Sequence, residues 1–276
     1  MKNKTDLINL SINDTTDSSF KNKIFNGKIL LIKNSKEIFK IIQLTEQYFN
    51  YFFNAKVINF EKKKINYDIE SSIFFEIIQN RIKFCKLLRK YFANFLFQIG
   101  LNINNTYMDN LTFRFSPGTG RKNIGKLIPT PAHRDTWASN IFNQINFWFP
   151  IHNVTVRNSI FFVPKYFNKK VKNNSDTWSF YQYKKSNKFC STPISNIKFS
   201  RSEIISFNIK KGEVLCFSGH HIHGSLLGQS DRLNLETRIV CKNDEEKYKI
   251  PLNLDAMGTI RKNMWFKNLK TGKSYL

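Results

Sequence analysis

The sequence has few cysteines and no long apolar run, and these two absences exclude several classes of protein. Its 276 residues include 4 cysteines at irregular positions, with no Cys-x-x-Cys motif. Nothing therefore indicates a disulfide framework, and a reducing cytoplasm is the expected location. The N-terminus lacks the apolar run of a signal peptide, and no stretch reaches the roughly 18 uncharged apolar residues of a membrane span.

Acidic residues are also scarce. The chain has 20 Asp and Glu against 44 Lys and Arg, which gives a formal net charge of +24. Such a charge can indicate a nucleic acid, an anionic membrane or an acidic substrate. The lysines are spread along the chain, however, and no RNA-binding motif or glycine-rich phosphate loop is visible. A solvated basic surface is the favoured interpretation, and a module that binds RNA or anionic lipid remains an alternative.

The order of the predicted elements favours one α+β domain over residues 1–276. A helical support region covers 1–104, a strand-rich core 105–245, and a polar C-terminal extension 246–276. Asn26-Gly27 lies between apolar runs and predicts a hairpin. An apolar stripe predicts one long helix from Ser71 to Ile99, capped at Gly100. Residues 165–198 are predicted to be a polar insertion bordering the site.

A His and an Asp lie two residues apart in the stretch Pro129–Trp137. In an extended strand, residues i and i+2 point to the same face, so His133 and Asp135 can converge on one point. Two imidazoles and one carboxylate make the facial triad that holds non-haem Fe(II) and leaves coordination positions open. The missing ligand should be a histidine from a distant strand.

Three histidines follow a Lys-Gly turn and a short apolar strand at 211–224. His223, before Gly224 and a serine, is the best candidate for the distal ligand. His221 has the same strand parity and remains the alternative, whereas His220 should face away. The isolated His152 is expected to be structural.

These pieces, taken in order, resemble the Fe(II)/2-oxoglutarate-dependent dioxygenases, and within them the phytanoyl-CoA dioxygenase-like branch. The resemblance covers roughly residues 105–245. It rests on His133-x-Asp135, the segment Asn158–Pro164, the strand Lys211–Phe217, and His223-Gly-Ser followed nine positions later by Arg232. It implies a double-stranded β-helix (a cupin-like jelly roll) buttressed by the N-terminal helices.

The resemblance also implies a set of cofactor contacts. Fe(II) would be held by His133, Asp135 and His223, with 2-oxoglutarate and O2 as co-substrates.

A guanidinium can pair in a bidentate way with the distal carboxylate of 2-oxoglutarate. The resemblance implies Arg232 for this role, because the family often places such an arginine at the start of the last strand, and Arg238 is the rival. Many family members follow Arg-x-Ser, and here Asn234 replaces that serine as a possible donor. Asn146 is a further co-substrate contact. The carboxylate of Asp135 implies hydroxylation or a related C–H oxidation, since related halogenases replace it with a small residue.

The function implied is oxidation of a C–H bond in a small-molecule metabolite, in specialised biosynthesis. Arg114, Trp137 and Trp148 are expected near the metal as substrate contacts, and the surplus of arginines favours an anionic substrate. Arg134 should point away from the ligands. The alternative enzyme is a jelly-roll isomerase or oxidase that does not use 2-oxoglutarate, which would not need Arg232. The sequence indicates no oligomeric state.

Overall fold

The computed structural model describes residues 7–12, 15–53, 69–119, 129–185 and 190–275. Within these ranges the chain forms helices on one side of a large, mostly antiparallel sheet, with a smaller sheet on the other side. The α-helices are α1 (Asp17–Phe25), α2 (Lys36–Phe53), α3 (Ile69–Phe84), α4 (Lys86–Gln98), α5 (Asp135–Ser139), α6 (Phe180–Lys185) and α7 (Asp244–Lys247). The strands are β1 (Leu7–Leu10), β2 (Ile29–Ile32), β3 (Thr106–Met108), β4 (Thr112–Ser116), β5 (Ile145–Pro150), β6 (Ile160–Phe162), β7 (Ile205–Ser206), β8 (Val214–Ser218), β9 (His223–Ser225), β10 (Arg232–Cys241) and β11 (Lys267–Asn268).

The larger sheet has the strand order β1-β2-β8-β5-β10-β3-β11, and β4 also pairs with β10. All its pairs are antiparallel except β1 with β2. The smaller sheet has the order β7-β6-β9. The long strand β10 lies between β5 on one edge and β3 and β4 on the other, so it is the structural centre of the larger sheet.

Strand β2 shows how the layers are held together. All four of its residues are apolar and buried. Leu30 and Ile32 belong to the large cluster shared with the helices, whereas Ile29 and Leu31 belong to the cluster between the two sheets. A strand that is buried on both faces has a continuous apolar sequence, because neither face meets water. The larger sheet is therefore the middle of three layers.

The hairpin predicted at Asn26-Gly27 is wrong. Residues before it form α1, whose N-terminal cap is Thr16 and whose C-terminal cap is Asn26. Gly27 follows with a φ of +82°. An Asn-Gly pair serves a helix C-terminus as well as a hairpin, because both need a left-handed residue.

The single helix predicted from Ser71 to Ile99 is also wrong, because the chain breaks at Cys85 into α3 and α4. Cys85 is extended, with φ −73° and ψ 106°. Helix α3 packs on β4 and α2, whereas α4 packs mainly on α2. The break lets each helix bury its own apolar face. The predicted end at Gly100 is confirmed, with φ +85° just past the last helical turn.

The two terminal regions also contribute to the sheet. Strands β1 and β2 lie within the predicted helical support region but extend the larger sheet beyond β8. At the other end β11 pairs with β3. Among the described residues, no helix is both long enough and apolar enough to cross a membrane.

Candidate metal and co-substrate site

Three side chains from two distant segments meet at one point. His133 and His223 form a bridge in which each backbone N–H donates to the other's carbonyl, at 2.9 and 3.0 Å. Arg134 is extended, and Asp135 then begins the short helix α5. The extended residue keeps His133 and Asp135 on the same side, as predicted. The ligand atoms of His133, Asp135 and His223 all lie within 4.8 Å of one another.

Backbone carbonyls fix the tautomers of the two imidazoles. Nδ1 of His133 is 2.8 Å from the carbonyl of Pro131, and Nδ1 of His223 is 3.0 Å from the carbonyl of His221. A carbonyl only accepts hydrogen bonds, so Nδ1 carries the proton in both rings. This leaves Nε2 of each neutral ring free to bind a metal. Nε2 of His133 lies 3.8 Å from Asp135 Oδ1, and Nε2 of His223 lies 3.6 Å from Asp135 Oδ2. This is the arrangement that a metal-binding histidine requires.

The electrostatics also suit a divalent cation. Burial, reinforced by the neighbouring His223, lowers the pKa of His133 to about 3, so that the ring is neutral. Burial opposes ionisation of Asp135, but the Arg238 guanidinium and the hydrogen bond from Asn146 favour the carboxylate, and the pKa of this carboxyl is below its ordinary value. Two neutral nitrogens and one carboxylate oxygen are the donor set of a facial Fe(II) site.

The structure chooses between the candidate distal histidines. His221 lies with Nε2 3.1 Å from the carbonyl of Gly27 and Nδ1 3.2 Å from that of Ser218. It therefore packs away from His133 and Asp135, and His223 is the histidine that lies with them. His220 and His152 are buried and belong to no metal-binding cluster among the described residues.

Arg238 lies beside the triad. Its guanidinium pairs with Asp109 and lies 3.5 Å from Asp135 Oδ1. Asn146 donates a hydrogen bond from its amide to Asp135 Oδ2. The ring of Trp265 lies 5.3 Å from the guanidinium. These contacts occupy Arg238 with carboxylates of the chain itself and hold Asp135 from two sides.

Arg232 is buried, and it forms no ion pair with a carboxylate in the part of the chain that the structure describes. It is 3% exposed, and no carboxylate of the described residues lies within ion-pair distance of it. It donates instead to the carbonyls of Asn158 and Ser159, to Ser225 Oγ and to Asn234 Oδ1. Burial lowers the pKa of Arg232 to about 10.

A buried charge without a counter-ion is costly, and an anion in the adjoining cavity would relieve that cost. Nη2 of Arg232 donates 2.8 Å to the Ser225 hydroxyl. This places an N–H and an O–H side by side, which suits a carboxylate. The residues present therefore fit the distal carboxylate of 2-oxoglutarate.

A cavity of about 880 Å³ connects the triad with Arg232. Its floor is the polar face of β10, on which alternate residues point the same way. Most of the predicted contacts line it, and Trp137 does not: its indole N–H donates to Asp255, 2.8 Å away. The predicted residues that line the cavity are His133, Asp135, His223, Arg114, Asn146, Trp148, Arg232, Asn234 and Arg238.

Arg134 points away from the cavity, as predicted. Its guanidinium donates to the carbonyls of Tyr166, Phe167 and Lys169. It thereby fastens the start of the predicted 165–198 insertion beneath the site. That insertion contributes Phe180, Tyr183, Lys184 and Thr192 to the cavity lining.

Sequence reasoning missed four residues of the site: Asp109, Ser225, Glu236 and Trp265. Glu236 had a usable signal, since it shares the alternation of Arg232, Asn234 and Arg238 on β10. Asp109 and Trp265 had none. Asp109 precedes the first motif of the resemblance, Trp265 lies beyond its end, and both reach the site only through the folded chain.

Comparisons with known proteins agree with this fold. No protein-family model matches the sequence, and no curated protein matches it significantly. The structure is similar to EvdO2 from Micromonospora carbonacea var. aurantiaca, solved in complex with 2-oxoglutarate, with a TM-score of 0.50, 10% identity, and coverage of 84% of this chain and 94% of that chain.

Two further solved structures overlap more weakly. The epimerase SnoN, in complex with Fe3+, alpha ketoglutarate and nogalamycin RO, gives a TM-score of 0.43 at 9% identity over 82% of this chain and 85% of that one. EctD from S. alaskensis gives 0.42 at 11% identity over 83% and 79%. At these identities likeness concerns the fold alone, and the two lower scores support no argument about function.

Proposed function

We propose that this protein is an Fe(II)- and 2-oxoglutarate-dependent oxygenase that oxidises a C–H bond of a small-molecule metabolite. The observation that carries the proposal is the pairing of two features in one cavity. The His133–Asp135–His223 triad lies at one end of the cavity, and the buried Arg232, which has no carboxylate partner among the described residues, lies at the other. A simple structural metal site would not need the second feature.

The proposal includes a fold and a domain arrangement. In this proposal the larger and the smaller sheet are the two sides of a double-stranded β-helix spanning residues 105–245, and the His133–His223 bridge ties the segment before α5 to the smaller sheet. Residues 1–104 and 246–276 complete a single domain around it. The likeness of the fold to EvdO2 supports this arrangement.

Each residue of the site has a definable part. His133, Asp135 and His223 would hold Fe(II), which with 2-oxoglutarate and O2 would supply the oxidation of an unactivated C–H bond. His133 and His223 present Nε2 because Nδ1 is tied to backbone carbonyls. Asn146 and Arg238 orient Asp135.

The co-substrate end of the cavity is built differently. Arg232 and Ser225 offer adjacent donors to the distal carboxylate. The ring of Trp148 lies 5.7 Å from the Arg232 guanidinium and limits its movement. Arg232 itself is buried, which strengthens its contact with a charged group.

Thermal unfolding with and without ligands tests the proposal. A ligand that binds the folded state raises the unfolding temperature. We expect Fe(II), or Mn(II) in air, to stabilise the wild type, and 2-oxoglutarate to add a further rise only when the metal is present. His133→Ala and Asp135→Ala should lose both effects.

Asp176→Ala is the matched control, because Asp176 is an exposed carboxylate remote from the triad in the described contacts. A metal effect without any 2-oxoglutarate effect would favour the jelly-roll enzyme that does not use this co-substrate. No metal effect in the wild type would refute the triad and leave the basic binding module as the better interpretation.

A further inference from the structure

Arg114 and Glu236 form an ion pair on the floor of the cavity. Arg114 Nε donates to Glu236 Oε1 at 2.7 Å, and both side chains line the cavity. They remain 37% and 35% exposed. Arg114 lies on β4 directly opposite Asn234 of β10. The pair is thus half-buried, held by two neighbouring strands, and open to the cavity.

Arg114 differs from the other arginines of the cavity in what its guanidinium contacts. Arg238 is occupied by Asp109 and Asp135. Arg232 is buried and directs hydrogen bonds to four neutral acceptors. Arg114 uses only Nε, and its two Nη groups donate to no other residue in the described ranges.

The two Nη groups of Arg114 are suited to bind an oxyanion. The paired Nη groups of a guanidinium match the two oxygens of a carboxylate or phosphate, in a geometry that lysine cannot reproduce. Glu236 holds the guanidinium by its Nε side. This contact restrains the guanidinium and leaves both Nη groups without a hydrogen-bond acceptor in the described ranges.

The Arg114–Glu236 pair lies close to the proposed metal ligands. Glu236 is two positions before Arg238 on the same face of β10, and Arg238 is 3.5 Å from Asp135. Two positions along a strand span about 7 Å. A small molecule held by Arg114 can therefore reach the open side of the triad.

The remaining charges of the cavity lining are mostly positive. Apart from the groups already described, they are Lys83 of α3, Lys184 of α6 and Lys267 of β11, against Glu76 of α3. A cavity lined by an excess of one sign concentrates ligands of the other. The surroundings therefore favour an anion at Arg114.

We propose that the substrate carries an oxyanion, a carboxylate or a phosphate, which Arg114 binds through Nη1 and Nη2 while Glu236 positions the guanidinium. This inference rests on the proposed function, because it names the substrate class of the same site. Arg114 determines specificity, and Glu236 is a positioning residue that acts through it.

Calorimetric titration of simple probes tests the inference. The probes are benzoate and phenyl phosphate, with neutral benzamide as the isostere, added anaerobically to protein saturated with Fe(II) and 2-oxoglutarate. Saturation blocks Arg232 as a competing anion site. We expect at least one anion to bind about tenfold or more tightly than benzamide, as a desolvated charged hydrogen bond would give. The tighter anion identifies which oxyanion the site prefers.

Variants assign the effect to the pair. Arg114→Gln should abolish the preference for the anion, and Arg114→Lys should retain only part of it. Glu236→Gln removes the neutralising charge and should tighten anion binding. Arg157→Gln is the matched control, because Arg157 is exposed and outside the cavity lining. Retention of the unfolding temperature shows that each variant is folded.

Three results would overturn the inference: benzamide binding as tightly as the anions, no probe binding to the wild type, or Arg114→Gln keeping the preference. Failure of the proposed function would give a different result, because 2-oxoglutarate itself would then not bind. In that case the same probes are titrated into the ligand-free protein, and dependence on Arg114 is still measured.

Discussion

At the scale of single residues, the three arginines of the cavity differ in how many carboxylates each one contacts. Arg238 has two carboxylates, Arg114 has one, and Arg232 has none among the described residues. The sequence shows three arginines in suitable strands but cannot show which of them lacks a counter-ion. That information lies in the positions of Asp109 and Glu236, which no motif marks.

Substitution of the two β10 arginines should separate their roles. We predict that Arg232→Met weakens 2-oxoglutarate binding by at least about thirtyfold, since losing one partner of a buried charge pair costs about 2 kcal/mol or more. Binding of Fe(II) should persist. Arg238→Met should instead weaken metal binding, because Asp135 loses one of the two side chains that orient it. Anaerobic calorimetry with each ligand measures both effects, and the opposite pattern would assign the co-substrate to Arg238.

At the scale of elements, alternation in β10 made part of the site predictable. Arg232, Asn234, Glu236 and Arg238 occupy one face of the strand, and Leu233, Leu235 and Ile239 pack on the core side. The period of two thus reveals an inward polar face. Periodicity did not predict the break between α3 and α4. Cys85 is neither proline nor glycine, and the break depends on what each helix packs against.

The short strand β9 contains His223, and the next residue, Gly224, has no room for a side chain. A Cβ on Gly224 would lie 2.8 Å from the ring of Phe161 and 3.0 Å from the carbonyl oxygen of Pro131. That carbonyl is the acceptor that fixes the tautomer of His133. The glycine therefore permits the close approach of the two segments that carry the triad.

We predict that Gly224→Ala weakens Fe(II) binding and lowers the free energy of unfolding by about 1–3 kcal/mol, the usual cost of overpacking. Denaturant unfolding and metal titration measure the two effects. Gly258→Ala is the control, since its added Cβ would have no neighbour nearer than 3.7 Å. Equal behaviour of the two variants would show that close packing at β9 does not govern the metal site.

At the scale of the whole molecule, His133 and His223 are far apart in sequence, so the sequence pattern alone could not predict how they meet. His133 and His223 meet because β6, β7 and β9 form a second sheet against the first, and such pairing depends on the entire chain. The resemblance supplied the ligands and the expected fold. It supplied neither the Trp265 contact from the C-terminal segment nor the contribution of β1 and β2 to the larger sheet.

Buried histidines away from the metal make the whole fold sensitive to acid. Burial lowers the pKa of His152 from 6.5 to about 4, and burial with the nearby Arg134 lowers that of His220 to about 3. Between these values and about pH 6.5 the unfolded chain binds protons that the folded chain does not. Stability is therefore full above about pH 6.5 and falls as the pH decreases toward 4.

We predict that His152→Gln reduces this dependence, with about one fewer proton taken up on unfolding below pH 6. Denaturant unfolding of the metal-free protein between pH 7.5 and pH 5 gives the slope directly. A slope unchanged from wild type would show that His152 is protonated in the folded state.

The central claim is that one cavity holds Fe(II) through the triad and 2-oxoglutarate through both the metal and Arg232. The most direct measurement is an anaerobic titration of metal-free protein with Fe(II) and then 2-oxoglutarate, recorded by visible absorption. A charge-transfer band should appear on addition of 2-oxoglutarate, and it should be absent in His133→Ala and Asp135→Ala but present in Asp176→Ala. Persistence of the band without His133 or Asp135, or its absence from the wild type, would contradict the account.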